Sequence, residues 1–169
     1  MPRNAPIVAL KTKRSKKLIT VEKKQHTLKN TVMSRPDKWI IFLGHTFSGH
    51  NHDYKMLKEE FPPALDWFAD INVLVDLGYQ GIQSDYDGDH IDIPHKKPRK
   101  SKKNPETSLS DDQKAENKTL SKVRIFIEHA IGGIKRYNIL VHRFRNRLAN
   151  FEDDVIGICA GLWNLTLSY

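Results

Sequence analysis

The sequence predicts an α/β fold, a mixed sheet flanked by helices, on three observations. β-prone segments precede a helix in the first half, a compact apolar strand follows at residues 71–75, and two helical patterns fill the second half. A length of 169 residues supplies one ordinary core. We therefore expect a single domain over residues 1–169, with its core at about 20–165 and a basic insertion at about 94–108.

The first half contains two segments that favour strands. Residues 25–33 carry Thr, Leu, Val and Met among polar neighbours, and residues 39–43 are mostly apolar, with turn residues between the two segments. We expect them to form an antiparallel hairpin. Residues 44–49 are predicted to be a loop, and Asn51 is predicted to cap a helix that ends before Pro62. A short strand is also predicted near the start of the chain, at Ile7-Val-Ala-Leu10.

Two helices are predicted in the second half. Ser110, followed three positions later by Gln113, indicates a capping box at the start of a helix that extends to about residue 138. The pair Gly132-Gly133 is expected to interrupt this helix, and the last helix begins at Asn150. The side chains expected in the core are Leu120, Val123, Ile127, Ile131 and Ile134 on the first helix and Val155, Ile158, Cys159, Leu162 and Leu165 on the second.

Composition restricts the function and the location. The net charge of +8, with a pI near 9.5, favours a polyanionic partner. Cys159 is the only cysteine, which excludes an internal disulfide and a cysteine-rich zinc module, and we expect this thiol to be buried. The chain has neither an apolar run of the ~20 residues that cross a bilayer nor a signal-peptide core, so a cytoplasmic location is expected.

Asp76 is the first candidate for a catalytic side chain. It ends the predicted buried strand and is followed by a turn through Gly78 and Gly81. An α/β sheet exposes its functional groups at this position, the carboxyl end of a strand. The alternative is an ordinary turn aspartate that accepts a hydrogen bond from the following backbone amides. The local pattern leaves both interpretations open.

Glu128 is the second candidate acid and lies on the predicted long helix. Arg124 precedes it by four residues and Lys135 follows it by seven. By spacing alone, an i,i+4 ion pair of Arg124 with Glu128, worth ~0.2–0.5 kcal/mol, is preferred. However, one acid from a strand end and one from a helix can also collect oxygen ligands for a divalent metal in a nuclease-type site.

Two other polar clusters are weaker candidates for metal sites. His50 and His52 supply at most two obvious ligands, whereas a catalytic zinc ion needs three. Asp53 beside them suits the first turn of a helix. The acidic residues between positions 85 and 92 do not match a calcium-binding loop, because the required Gly and Glu are absent from its sixth and twelfth positions. We expect these acids to be solvated.

A basic cluster lies between the two candidate acids. It is a solvated loop, a nuclear-localisation-like patch or a phosphate-contacting surface, and its position between Asp76 and Glu128 favours phosphate contact. Such contacts give affinity without sequence specificity and make binding sensitive to salt. The residues of the cluster are Lys96, Lys97, Arg99, Lys100, Lys102 and Lys103.

Four landmarks, taken together and in this order, resemble the DDE-superfamily transposases of bacterial insertion sequences, whose catalytic domain is ribonuclease H-like. They cover about residues 20–165 of the chain. The landmarks are Lys23-Lys-Gln-His-Thr-Leu-Lys-Asn30, Gly49-His-Asn-His-Asp53, Val75-Asp-Leu-Gly-Tyr-Gln-Gly81 and Arg124-Ile-Phe-Ile-Glu-His-Ala-Ile-Gly-Gly-Ile-Lys135.

The resemblance implies roles for particular residues. Asp76 and Glu128 would be the second and third acids of the catalytic triad and would hold two Mg²⁺ or Mn²⁺ ions, ~3.5–4 Å apart, for DNA strand cleavage and strand transfer. Arg124 and Lys135 would lie near the DNA or help orient Glu128. The implied partners are double-stranded DNA at transposon ends and target, and a second copy of the chain or an upstream transposase fragment. The implied location is the cytoplasm, at the nucleoid.

The chain departs from the family at its start. There the family carries its first acid on a strand, in an Asp-x-Thr motif shortly before a Pro-Ile pair. Pro6-Ile7 matches this pair, but residues 1–5 contain no Asp. Asp37 and Asp53 are expected on a turn and at a helix start, so neither replaces the first acid.

We therefore expect an incomplete, N-terminally truncated catalytic domain that lacks its first strand and is inactive alone. An upstream polypeptide that supplies the missing acid would restore activity. The alternative, from a different functional class, is a non-catalytic DNA-binding or regulatory protein that acts at element ends.

Overall fold

The protein has an α/β architecture, as the sequence predicts. The computed structural model describes residues 7–11, 28–86, 90–99, 107–142, 146 and 148–169. The strands are β1 (Ile7–Lys11), β2 (Leu28–Lys29), β3 (Thr31–Ser34), β4 (Ile40–Leu43), β5 (Phe47–Ser48), β6 (Val73–Val75) and β7 (Ile91–Asp92). The helices are α1 (Asp53–Glu60), α2 (Ile82–Asp85), α3 (Asp111–Ile134) and α4 (Phe151–Thr166), with 3-10 turns at Leu77–Tyr79 and Asn138–Leu140.

Five of the strands form one mixed sheet in the order β4-β3-β1-β6-β7. β3 is antiparallel to both β1 and β4, which confirms the predicted hairpin, whereas β6 is parallel to β1 and β7. The predicted strand near the start of the chain is also confirmed, since β1 lies in the middle of the sheet. The prediction that the sheet lacks its first strand is not confirmed.

The predicted strand at residues 25–33 is divided by a buried asparagine. Asn30 donates from Nδ2 to the Gly44 carbonyl oxygen at 3.1 Å and to Thr46 Oγ1 at 2.8 Å. Before it, β2 pairs with β5 in a small second sheet; after it, β3 joins the main sheet. The predicted loop at 44–49 therefore contains a short strand, and residues 25–27 lie outside the described residues.

The predicted cap of α1 is wrong. His52, and not Asn51, occupies the N-cap position, and no side chain there caps the helix. The backbone of Asn51 forms two other hydrogen bonds: its N–H donates to the Ser48 carbonyl oxygen, and its carbonyl oxygen accepts from Lys29 Nζ. The expected end of α1 before Pro62 is confirmed.

Helix α3 begins as its sequence predicts but is not interrupted. The Ser110 hydroxyl accepts from the Gln113 amide at 3.2 Å, and the Gln113 side chain accepts from the Ser110 amide at 3.1 Å, which completes the capping box. The helix continues through Gly132 and Gly133 to Ile134. Gly133 faces the Trp163 ring of α4, and a Cβ at this position would lie 2.2 Å from a ring carbon. This glycine therefore allows close packing of two helices.

Helix α4 is turned away from the predicted orientation. Val155 and Cys159 are buried as expected, but three of the predicted core residues are exposed, at 63%, 41% and 51% for Ile158, Leu162 and Leu165. Contacts with the edge strand β4 set this orientation. The Asn164 side chain exchanges two hydrogen bonds of 2.9 Å with the Ile40 backbone, and Trp163 Nε1 donates to the Lys38 carbonyl oxygen at 3.0 Å.

The sheet carries core side chains on both faces. Met33, Val73 and Val75 belong to the cluster that contains α1 residues, whereas Val32 packs with residues of α3 and α4. Leu74, between the two valines of β6, packs against α3. β6 is thus buried on both faces, as predicted. Because its side chains point alternately to the two faces of the sheet, their order also determines which face the next residue, Asp76, points to.

Candidate functional site

The alternation of β6 directs Asp76 towards α3. Leu74 packs against Ile127 of α3, and residues two positions apart on an extended chain face the same side. Asp76 keeps an extended backbone, at φ −82° and ψ 165°, so its side chain faces α3 as well. Arg124 lies about one helical turn before Ile127. A strand end and a helix surface therefore meet at this edge of the sheet.

Asp76 and Glu128 both contact the guanidinium group of Arg124. Arg124 Nη1 lies 3.4 Å from Asp76 Oδ1, and Arg124 Nη2 lies 3.7 Å from Glu128 Oε1. The side chains are 25% exposed for Arg124, 33% for Asp76 and 65% for Glu128. The structure therefore brings together the two acids and the arginine that the sequence singles out, around one positive charge that solvent can reach.

The structure also contains the contacts that the alternative interpretations predict, in which Asp76 is a turn residue and Glu128 forms an ion pair. Asp76 Oδ1 accepts a hydrogen bond from the Leu77 amide at 2.7 Å, as a turn aspartate does. Glu128 makes the i,i+4 ion pair with Arg124. Neither contact prevents a carboxylate from holding a cation, because its two oxygens offer about four acceptor positions.

The landmark that ends at Asp53 supports the Asp76 turn. Asp53 Oδ2 lies so close to Gly78 that a Cβ there would approach it to 2.9 Å. Lys29 Nζ lies 3.4 Å from Asp53 Oδ1, and the Tyr54 hydroxyl oxygen lies 3.2 Å from the Gly81 carbonyl oxygen. The sequence places Asp53 at the helix start but does not indicate this supporting contact with a turn 25 residues away.

The structure does not assemble a cluster of three metal ligands from the residues it describes. Within this part of the chain, no group of three or more His, Cys, Asp or Glu side chains is arranged to hold an ion. His45 pairs instead with Asp153 at 3.8 Å, and Asp85 accepts from Tyr54 and Lys58. Residues 87–89 lie outside the described residues.

Lys135 lies beyond the last turn of α3. It follows Glu128 by seven residues, about 10 Å along the helix axis. Its side chain is half-buried, and this burial lowers the pKa of its ammonium group. The predicted role of Lys135 near the DNA stays a prediction.

The start of the basic insertion is attached to α3. Asn117 brackets the backbone of His95, since its side chain accepts from the His95 amide at 2.8 Å and donates to the His95 carbonyl oxygen at 3.0 Å. Lys96, Lys97 and Arg99 follow in irregular, exposed chain. Lys100, Lys102 and Lys103 lie outside the described residues.

This attachment places the start of the basic chain on the same side of α3 as Arg124. Asn117 precedes Arg124 by seven residues, which is about two turns and about 10 Å on the same side of α3. A groove of about 460 Å³ opens beside the attachment, between α3 and the segment around β7. The lining residues are Gln83, Asp92, Ile93, His95, Ala115, Glu116, Thr119 and Leu120.

The fold and the site together define a class: α/β proteins in which two carboxylates converge at the end of an inner strand. Comparison with known proteins identifies the family. A family model described as "DDE superfamily endonuclease" matches residues 8–164. The chain belongs to the DDE superfamily of endonucleases, which confirms the resemblance seen in its sequence motifs.

A curated relative gives the same assignment. The chain is 32% identical over 159 residues to a protein of Microchaete diplosiphon named "Probable transposase for insertion sequence element IS702". The match covers 92% of this chain and 52% of that protein, so the chain spans about half the length of the relative. No solved structure matches the chain. In the described part of the chain, the helices are too short or too polar to span a membrane.

Proposed function

We propose that this chain is a transposase catalytic-domain segment with a ribonuclease H-like sheet. In this proposal Asp76 and Glu128 provide oxygen ligands for Mg²⁺ or Mn²⁺ during DNA strand cleavage and strand transfer. The observation that carries the proposal is the convergence of both carboxylates on Arg124, at 3.4 and 3.7 Å. Family membership supports it, since endonucleases of this superfamily generally use divalent metals.

The residues fit a hard divalent cation. Carboxylate oxygens are the ligands that Mg²⁺ prefers, and Asp76 and Glu128 already share one cationic group at a solvent-accessible position. When bound, such ions activate the attacking oxygen and stabilise the leaving oxygen. The Leu77 amide holds Asp76 in place, and the exposed cations Lys96, Lys97 and Arg99 would contact the DNA backbone.

A second part of the proposal concerns whether this chain supplies all of the catalytic acids. The resemblance implies three catalytic acids, and the matching motifs supply two of them, Asp76 and Glu128. On this ground we propose that the chain by itself cleaves DNA weakly or not at all, and that a further acid comes from another polypeptide. The proposed partners are double-stranded DNA at transposon ends and target, with a second copy of the chain or an upstream transposase fragment. The proposed setting is the cytoplasm, at the nucleoid.

A second candidate function is DNA binding without catalysis, in a protein that regulates or occupies element ends. The exposed basic segment at Lys96, Lys97 and Arg99 favours this candidate. A net charge of +8 also favours a polyanionic partner. Phosphate contacts of this kind need no metal ion.

Calorimetric titration with Mg²⁺ and Mn²⁺ separates the two functions. Asp76→Asn and Glu128→Gln should each abolish divalent-ion binding. Glu59→Gln is a matched control, because Glu59 is a half-exposed helical glutamate in an i,i+4 pair with Lys55, and it should leave ion binding unchanged. Ion binding that is absent from the wild type, or retained in both site variants, would contradict the metal role.

DNA assays complete the test. Retention of duplex binding in an Asp76→Asn, Glu128→Gln double variant, without an ion site in the wild type, would favour the non-catalytic function. Robust metal-dependent nicking by the purified chain, abolished by Asp76→Ala, would contradict the proposal that the chain is inactive alone.

A further inference from the structure

We propose that Arg124 occupies the place of a cation between Asp76 and Glu128 and is displaced when a divalent ion binds. Ion binding and release of the guanidinium group are then one coupled exchange. This inference rests on the proposed function, because it assumes that the two acids hold the ion. It adds a positioning role for Arg124, which holds the two acids together in the absence of the ion.

The charges at the site support such an exchange. Two carboxylates that face one position repel each other, and a positive charge between them offsets this repulsion. Arg124 supplies one positive charge to both acids. A divalent ion would supply two positive charges at the same position, so it would stabilise the two carboxylates more than the guanidinium group does. If both remained, the ion and the guanidinium group would repel each other.

The contacts of Arg124 are loose enough to be exchanged. Its distances of 3.4 and 3.7 Å to the carboxylate oxygens are longer than the 2.7–3.2 Å of a typical N–H···O hydrogen bond. The arginine is therefore held mainly by charge attraction. Its Nε atom is buried and, among the described residues, has no hydrogen-bond partner. A buried donor without a partner is unfavourable, which further favours movement of the side chain.

The energetic consequence can be measured as ion affinity. An ion that displaces Arg124 must break two partly exposed ion pairs, so their removal should strengthen ion binding. From the usual strength of such pairs, Arg124→Gln should raise the affinity for Mn²⁺ by about three- to tenfold. If Arg124 only orients the acids for the ion, the same substitution should weaken ion binding instead.

The experiment compares Mn²⁺ titrations of the wild type, Arg124→Gln and Arg35→Gln. Arg35 is a matched control, because it also pairs with a nearby aspartate, Asp37, and its loss also removes one positive charge. We expect unchanged affinity for Arg35→Gln, within about twofold. If circular dichroism shows that Arg124→Gln is not folded, Arg124→Lys takes its place in the comparison. This variant keeps the positive charge but lacks the planar guanidinium group, and we expect a smaller gain in affinity.

A second measurement follows the arginine directly. Mg²⁺ titration of the wild type should shift the side-chain Nε–Hε NMR resonance of Arg124, identified by its absence in Arg124→Lys, in proportion to ion occupancy. Ion binding without this shift, or an Arg124→Gln affinity equal to or below that of the wild type, would overturn the exchange. A wild type that binds no ion, or binds it equally after Asp76→Asn, would instead contradict the proposed function.

Discussion

The contact between Gly133 and Trp163 predicts a large difference between two neighbouring glycine-to-alanine substitutions in α3. At Gly133 a Cβ would lie 2.2, 2.4 and 2.5 Å from three carbons of the Trp163 ring. At Gly132 a Cβ would meet no atom within 4 Å. Both substitutions add one methyl group and improve helix propensity, so the pair isolates the effect of the helix contact.

The magnitude follows from how far the ring must move. Carbon atoms pack at about 3.5–4.0 Å, so Gly133→Ala must displace the Trp163 ring by about 1 Å or more. The ring is buried, and its Nε1 donates to the Lys38 carbonyl oxygen at 3.0 Å, a hydrogen bond that such a shift would break. Overpacking costs about 1–3 kcal/mol, and the gain in helix propensity offsets at most ~1 kcal/mol.

After this offset we expect Gly133→Ala to lower the free energy of unfolding by about 1–2 kcal/mol, whereas Gly132→Ala should leave it unchanged or raise it by up to ~1 kcal/mol. Urea unfolding followed by circular dichroism measures both values. In thermal unfolding, each kcal/mol corresponds to about 2–4 °C for a chain of this size. Equal stability of the two variants would refute the proposed close packing of α3 and α4 at Gly133.

Two further predictions concern charge. Burial raises the pKa of Glu60 above its ordinary value of 4.5, so the folded state binds this proton more tightly and loses stability as pH rises above that value. Glu60→Gln should remove this loss, so its stability relative to the wild type should increase as the pH rises above about 4.5 and should level off once the Glu60 carboxyl group of the folded wild type is ionised. Glu59→Gln should show only a small trend, because the Glu59 charge contributes little to the raised pKa of Glu60. For DNA binding, Lys96→Gln with Lys97→Gln should reduce the slope of log affinity against log salt by about 2, and an unchanged slope would exclude phosphate contact by this segment.

Local patterns were sufficient to predict several elements of the fold. Turn chemistry between two β-prone segments predicted the β3–β4 hairpin, and the continuous apolar run predicted β6 as a strand buried on both faces. Ser110 and Gln113 predicted the start of α3 because both partners of a capping box lie within one turn. These features depend on residues near one another in the chain.

The pairing of Asp76 and Glu128 needed more than local pattern. Spacing alone favoured a simple ion pair for Glu128, and motifs shared with a family suggested the metal role. Only the structure shows that Arg124 contacts both acids, because the contact to Asp76 joins α3 to the end of β6. The alternation of β6 determines this contact, and the sequence does not state which helix covers which face of the sheet.

Tertiary structure alone decided the orientation of α4. Apolar residues occur all around this helix, and no charged residue follows Asp154, so its pattern does not select one buried face. The buried face is selected by contacts with residues far away in the sequence: Trp163 on Gly133, and Asn164 on the backbone of Ile40. The sequence by itself thus determined the short-range elements and the family, whereas long-range packing decided how α3, α4 and the end of β6 meet.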